Sequence, residues 1–199
     1  MNHVLDVRTL PSSPGGRMSA EWWGIAGLIV IEGMVFIALV VSYFHLGQRN
    51  PSWPPPGIEA PHVPLATLNT LLLIASAAPI WLAARTLSRG SERAAKLALA
   101  SGIVLLAVFL GIKLYEYLTL PWGPRTHAYG SVVFAMSGLH MVHVFAVLVK
   151  SSVVLVYIHQ RRIDPERRAA LDANALYWYF VIAVWLPLYG AIYWAPRLF

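Results

Sequence analysis

Six ionisable side chains sit inside stretches that are otherwise apolar: Glu32, Lys113, Glu116, His140, His143 and Lys150. An ionisable group at membrane depth is costly, so each is a candidate for function. Glu32 lies about eleven residues into its run, roughly 16 Å at 1.5 Å per residue, near the middle of a bilayer. Such a carboxyl can bind a proton or contact a partner. It can equally be a protonated acid that hydrogen-bonds two helices together. Lys113 and Glu116 are three residues apart, close enough on a helix to pair and to offset each other's desolvation. His140 and His143 are also three apart and share a helical face. Their chemistry covers metal, haem or lipid-headgroup binding, or a pair of neutral imidazoles bonded to neighbouring helices. The imidazole reading, or a lipid contact, fits better than a metal. A bis-histidine haem in a bundle takes its ligands from facing helices. His3, His45, His62, His127 and His159 all fall at run ends or between runs, and Glu32 is the one carboxylate near the middle. The expectation is that this chain holds no haem and no metal of its own. Glu32 and His140 lie at similar depth, so a contact between them is geometrically open. Lys150, seven residues after His143 and on nearly the same face, can reach lipid phosphates. Asn69, Thr70 and Ser76 read as polar links between helices.

These groups need elements to hold them, and composition says what kind. Of 199 residues, 58% are hydrophobic and 12% are charged. A soluble domain carries about a quarter charged residues, so the missing solvent is lipid. Crossing the hydrocarbon takes about 20 apolar residues. Five stretches qualify, over about 22–45, 64–87, 97–117, 129–158 and 175–196. The expected fold is an all-α integral membrane protein, one bundle of five transmembrane helices over 21–199 behind an arm of residues 1–20. That arm carries Pro11, Pro14, Gly15 and Gly16 and no apolar run. It does not resemble a cleavable signal peptide, so the first span is expected to insert as an uncleaved anchor. Pro79 and Pro187 are expected to bend their spans. Trp22, Trp23, Tyr177, Trp178, Tyr193 and Trp194 gather at span ends, where such rings favour the headgroup level.

The net charge of +6 is a topology signal rather than a nucleic-acid one, because the basic residues lie between the spans. Ten fall on one side: Arg8 and Arg17; Arg85, Arg89, Arg93 and Lys96; Arg161, Arg162, Arg167 and Arg168. The other side has only Arg49, Arg125 and Arg197. The positive-inside rule then puts the N-terminus in the cytoplasm and the C-terminus outside. The absence of cysteine excludes disulfides, thiolate metal sites and cysteine nucleophiles. There is no phosphate-binding glycine loop, no nucleophile elbow and no series of carboxylates through several spans. A small transporter or channel would explain Glu32, Lys113 and Lys150, but the inverted repeats and broken helices of such proteins are not evident. A haem-bearing membrane anchor of a dehydrogenase fails on the histidine placement. A helical membrane protein with a few buried polar anchors suits a supporting subunit of a larger assembly.

Particular residues sharpen this. Tyr129-Gly130-Ser131, then Gly138-Leu139-His140 and His143-Val144, follow the Tyr-Gly-Ser…Gly-x-His-x-x-His-Val signature of one family. Ile31-Glu32-Gly33-Met34-Val35-Phe36 matches its membrane-buried glutamate stretch. Leu68-Asn69-Thr70-Leu71-Leu72 with Ser76, Glu116-Tyr117, and Tyr177-Trp178 with Trp185 and Ile192-Tyr193-Trp194 fall in order on the remaining spans. Trp53-Pro54-Pro55-Pro56 between the first two spans suits bacterial members. The chain resembles subunit III of the haem-copper respiratory oxidases, in its short five-helix bacterial form. Two departures stand out. The family's Trp-His-Phe-Val-Asp is here Trp178-Tyr179-Phe180-Val181-Ile182, and Lys113 stands where glutamine is usual. These point to a divergent branch, and subunit-III-like accessory proteins of nitric oxide reductase are an alternative.

The resemblance implies a subunit with no redox centre, haem and copper being held by partner subunits. It implies packing on subunit I, with subunit II and other respiratory subunits in the same complex, in a bacterial cytoplasmic membrane. It also implies phospholipid in a V-shaped cleft, with spans one and two on one side and three to five on the other, in support of proton uptake and stability. Glu32, Glu116, His140 and His143 would face that cleft or its seams, with Lys113, Lys150 and Trp178 as further lipid or buried polar contacts.

Overall fold

The computed structural model describes residues 20–160 and 165–198. Helix α1 spans Ala20–Arg49, α2 Val63–Ala75, α3 Ala77–Ser88, α4 Glu92–Thr119, α5 Ala128–His159 and α6 Pro165–Tyr189. A π-helical turn, Gly190–Trp194, joins α6 to the short α7, Ala195–Leu198. These make five helical spans long and apolar enough to cross a membrane, and there is no strand among the described residues. The chain is a multi-pass membrane protein. The arm of residues 1–19 and the arginine pair Arg161 and Arg162 lie outside the described residues.

The first, third and fifth spans run a turn or more beyond their apolar cores at one end because polar residues there stay helical, whereas the second and fourth match the apolar runs to within a residue. The second span is interrupted at Ser76, between α2 and α3. Pro79 accounts for this: it has no N–H to give the carbonyl four residues back, and its ring crowds that carbonyl. The irregularity is local: Ser76 keeps helical torsions, φ −64° and ψ −14°, and its N–H still bonds the Leu72 carbonyl, so the span continues across it. In the fifth span the α-helix continues through Pro187, and an irregularity falls just beyond it as the π turn. α3 ends on Gly90 at φ 79°, with Ser91 N–H bonded to the Thr86 carbonyl and Gly90 N–H to that of Leu87. That left-handed cap turns the chain tightly into α4.

α6 is the hub, packing against α1, α2, α3 and α5. α4 lies against α2, α3 and α5, and α1 touches α5 and α6. Spans one and two therefore do not pair, and sit on separate sides of α6. The expected division into spans one and two against three to five is not how the bundle is arranged. Each of the two spans finds its apolar partners on the later helices instead.

Three of the six rings placed at the headgroup level by sequence are core. Tyr177, Trp178 and Tyr193 are buried, while Trp23 and Trp194 are 61% and 46% exposed. For Tyr177 and Trp178 the reason is length, and for Tyr193 it is the inward bonds to Lys113 and Glu116. α6 begins at Pro165, so Tyr177 lies three turns inside it rather than at its end.

Candidate functional site

The signature around Tyr129 builds the turn between α4 and α5. Tyr129 is wholly buried among Tyr43, Trp53 and Trp122. A side chain at Gly130 would put its Cβ 2.5 Å from the Gly123 carbonyl oxygen, so only glycine fits. Ser131 Oγ donates to the Pro124 carbonyl at 2.7 Å. His127 caps α5, its Nδ1 accepting from Gly130 N–H at 2.7 Å. A histidine in a loop is thus a helix cap.

Two polar clusters lie at membrane depth. In the first, Lys113 Nζ donates to Glu116 Oε2 at 3.0 Å and to the Tyr193 hydroxyl. That hydroxyl in turn donates to Glu116 Oε1. The ammonium also sits 5.2 Å from the centre of the Trp185 ring and 5.9 Å from that of Tyr117. Every carboxylate oxygen has a donor, and the cation faces three aromatic rings, the third being that of Tyr193 at 5.0 Å. The π turn brings Tyr193 into the triangle. The pair follows from its three-residue spacing. The link to Tyr193 has no local sequence signal, because its partners are eighty and seventy-seven residues away. A cleft of about 510 Å³ reaches the edge of this cluster at Glu116, between Tyr115, Thr119, Glu59 and His62.

The second cluster joins α1, α5 and α6. Tyr177 O–H donates to Glu32 Oε2 at 2.7 Å, and His143 Nε2 lies 3.4 Å from the same oxygen. His143 Nδ1 is 2.7 Å from the Leu139 carbonyl, which can only accept, so Nδ1 carries a proton. The neutral ring then has a bare lone pair at Nε2. A favourable contact with Glu32 therefore needs one more proton, on the imidazole or on the carboxyl. His143, not His140, is the partner of Glu32. His140 is fully buried one turn away, and its Nε2 is 3.0 Å from the Val181 carbonyl of α6. The rings of Trp185 and Phe109 pack on it, and its Nδ1 has no hydrogen-bond partner.

Other polar side chains knit the spans. Trp178 Nε1 donates to Ser76 Oγ at 2.9 Å, and Trp185 Nε1 to Thr70 Oγ1 at 2.8 Å. Asn69 Nδ2 donates to the Phe109 carbonyl at 3.1 Å. Trp178 is therefore a seam residue that reaches the irregularity at Ser76. Gly102 gives it room, since a Cβ there would come within 3.1 Å of the indole. Lys150 is half-buried in the C-terminal part of α5, two turns from His143. Among the described residues, no three His, Asp or Glu side chains converge as metal ligands would.

The model of one family, cytochrome c oxidase subunit III, matches residues 18–196, from before the first span to the last turn of the fifth. The chain belongs to the cytochrome c oxidase subunit III family. It is 32% identical over 180 residues to cytochrome c oxidase subunit 3 of Arabidopsis thaliana, covering 86% of this chain and 67% of that protein. The same-named protein of Anopheles gambiae is 32% identical over 199 residues, covering 94% of this chain and 72% of the relative. That of Thermostichus vulcanus is 29% identical over 171 residues, with 85% of each covered. Membership also places the departures. Tyr179, in the histidine position, is 38% exposed on the bundle surface, and Ile182, in the aspartate position, is half-buried. Lys113, in the glutamine position, is buried and answered by Glu116.

Proposed function

We propose that this chain is the non-catalytic subunit III of a haem-copper terminal oxidase in a bacterial cytoplasmic membrane, with its N-terminus inside. It packs on subunit I, beside subunit II, and haem and copper belong to those partners. Its relatives are named for cytochrome c, which makes cytochrome c the natural electron source of the complex. The observation that carries the reading is the unbroken family match across all five spans, on a bundle whose polar groups bind one another.

Phospholipid is its own ligand. The apolar groove of about 310 Å³ between α1 and α6, lined by Gly33, Phe36, Ile37, Val40, Val184 and Leu188, takes an acyl chain. Lys150 and Arg85, the latter stacked 4.9 Å over Trp81, supply charge for inner-leaflet phosphates. Lipid and subunit III together would keep subunit I packed during proton uptake.

A native gel of gently solubilised membranes, with mass spectrometry of the co-migrating chains, tests the reading. A large haem-bearing subunit should migrate with this one, and the separated chain should show no Soret band. A stoichiometric haem spectrum from the chain alone would overturn it.

A further inference from the structure

Glu32 differs from the other buried groups in having an oxygen left over. Both of its partners, Tyr177 and His143, converge on Oε2. Neither reaches Oε1, and 21% of the side chain is exposed. Exposure here is not to water. Glu32 lies twelve residues from one end of α1 and seventeen from the other, roughly 18 and 26 Å along the axis. The hydrocarbon layer is about 30 Å thick, so headgroups lie about 15 Å from its centre. Acyl chains carry no hydrogen-bond donor, and a bare carboxyl oxygen facing them is strongly disfavoured. A donor must therefore come from another protein segment at the same depth.

The surface around it suits such a segment. α1 is the least covered span: in its most apolar stretch 6% is buried, against 44% in the fifth span. Leu28 and Val35, four residues before and three after Glu32, are 40% and 47% exposed, with Ile31 between them at 64%. This apolar strip flanks the carboxyl on the side away from α6.

We propose that the α1 face at Leu28, Ile31, Glu32 and Val35 is a docking surface for a transmembrane helix of a partner subunit. That helix presents a hydrogen-bond donor to Glu32 Oε1: a serine, threonine, tyrosine, amide or basic side chain. Glu32 then has two functions in one carboxyl. Oε2 closes the seam of α1, α5 and α6, and Oε1 marks the register of the incoming helix. The inference rests on the subunit reading and adds which face is covered and by what chemistry.

The test uses the intact complex in its native membrane. A photo-crosslinking benzoylphenylalanine replaces Val35, and the adducts are mapped by mass spectrometry. The expected adduct is a partner-subunit helix carrying a donor residue within a turn of the crosslink. Adducts to lipid alone, or to a second copy of this chain, would overturn the proposal. If the chain still co-purified with a haem-bearing subunit, the subunit reading would survive that failure. Variants separate the two oxygens. Glu32→Leu should release about tenfold more free chain on detergent challenge than Tyr177→Phe, which removes only the internal donor. Equal release by both would mean that Glu32 acts only within this chain.

Discussion

Two carboxylates at membrane depth, Glu116 and Glu32, each bond to a tyrosine and to a nitrogen base, yet they are built differently. Glu116 is enclosed: Lys113 and Tyr193 take both of its oxygens, and the rings of Trp185 and Tyr117 face the cation. Glu32 has a histidine in place of a lysine, one oxygen engaged and a fifth of its surface open. The enclosed site carries its own counter-charge and is complete within one chain. The open site lacks a donor and sits on the span with least cover. A full set of partners marks a group that fastens the fold, and an incomplete set marks one that meets something else.

That contrast is breakable. Lys113→Met leaves Glu116 without its cation in the core and is expected to destabilise the assembled protein by about 3–5 kcal/mol, read as a fall in its unfolding midpoint. The double variant Lys113→Met/Glu116→Leu should recover most of the loss, since an apolar pair of similar volume replaces a buried ion pair at little cost. If the double variant were as unstable as the single one, the enclosed site would be something other than a charge lock.

The two tyrosines give a matched pair. Tyr193→Phe removes hydrogen bonds to charged groups and should cost about 1.5–3 kcal/mol. Tyr177→Phe removes one bond from a carboxyl that keeps His143, and should cost about 0.5–1.5 kcal/mol in the same unfolding assay. The reverse order would erase the distinction between enclosed and open. Smallest of all, Glu32→Gln keeps an acceptor oxygen and should leave the amount of chain in the complex close to that of the parent. A loss as large as that of Glu32→Leu would show that the ionised carboxylate, rather than its acceptor geometry, matters.

How far the sequence discloses these sites depends on the range of the contact. Lys113 and Glu116 lie three apart, and helical periodicity alone predicts their pairing. The five spans are readable for a similar local reason, since twenty apolar residues have one economical home. Tyr177, Trp178 and Tyr193 are different. Their bonds to Glu32, Ser76 and Glu116 cross between helices, and no pattern within one helix indicates which face turns inward. For Tyr177 and Trp178 the start of the last helix matters too: it lies ten residues before the apolar run, at Pro165, whereas Tyr193 stays near the far end and is turned inward by the π turn. The irregularity at Ser76 follows from Pro79, whose effect on the carbonyl four residues back is known. The lateral order of the spans was the least accessible. Family resemblance suggests spans one and two together, whereas the contacts put α6 between them.

On the proposed reading, these membrane-depth groups hold helices together and do no chemistry. The most direct measurement is the turnover per haem of intact, fully haem-loaded complex carrying Lys113→Met/Glu116→Leu. Turnover close to that of the parent complex is the predicted result, with any loss confined to how much complex assembles. A fully assembled, fully loaded complex that no longer turned over would contradict it.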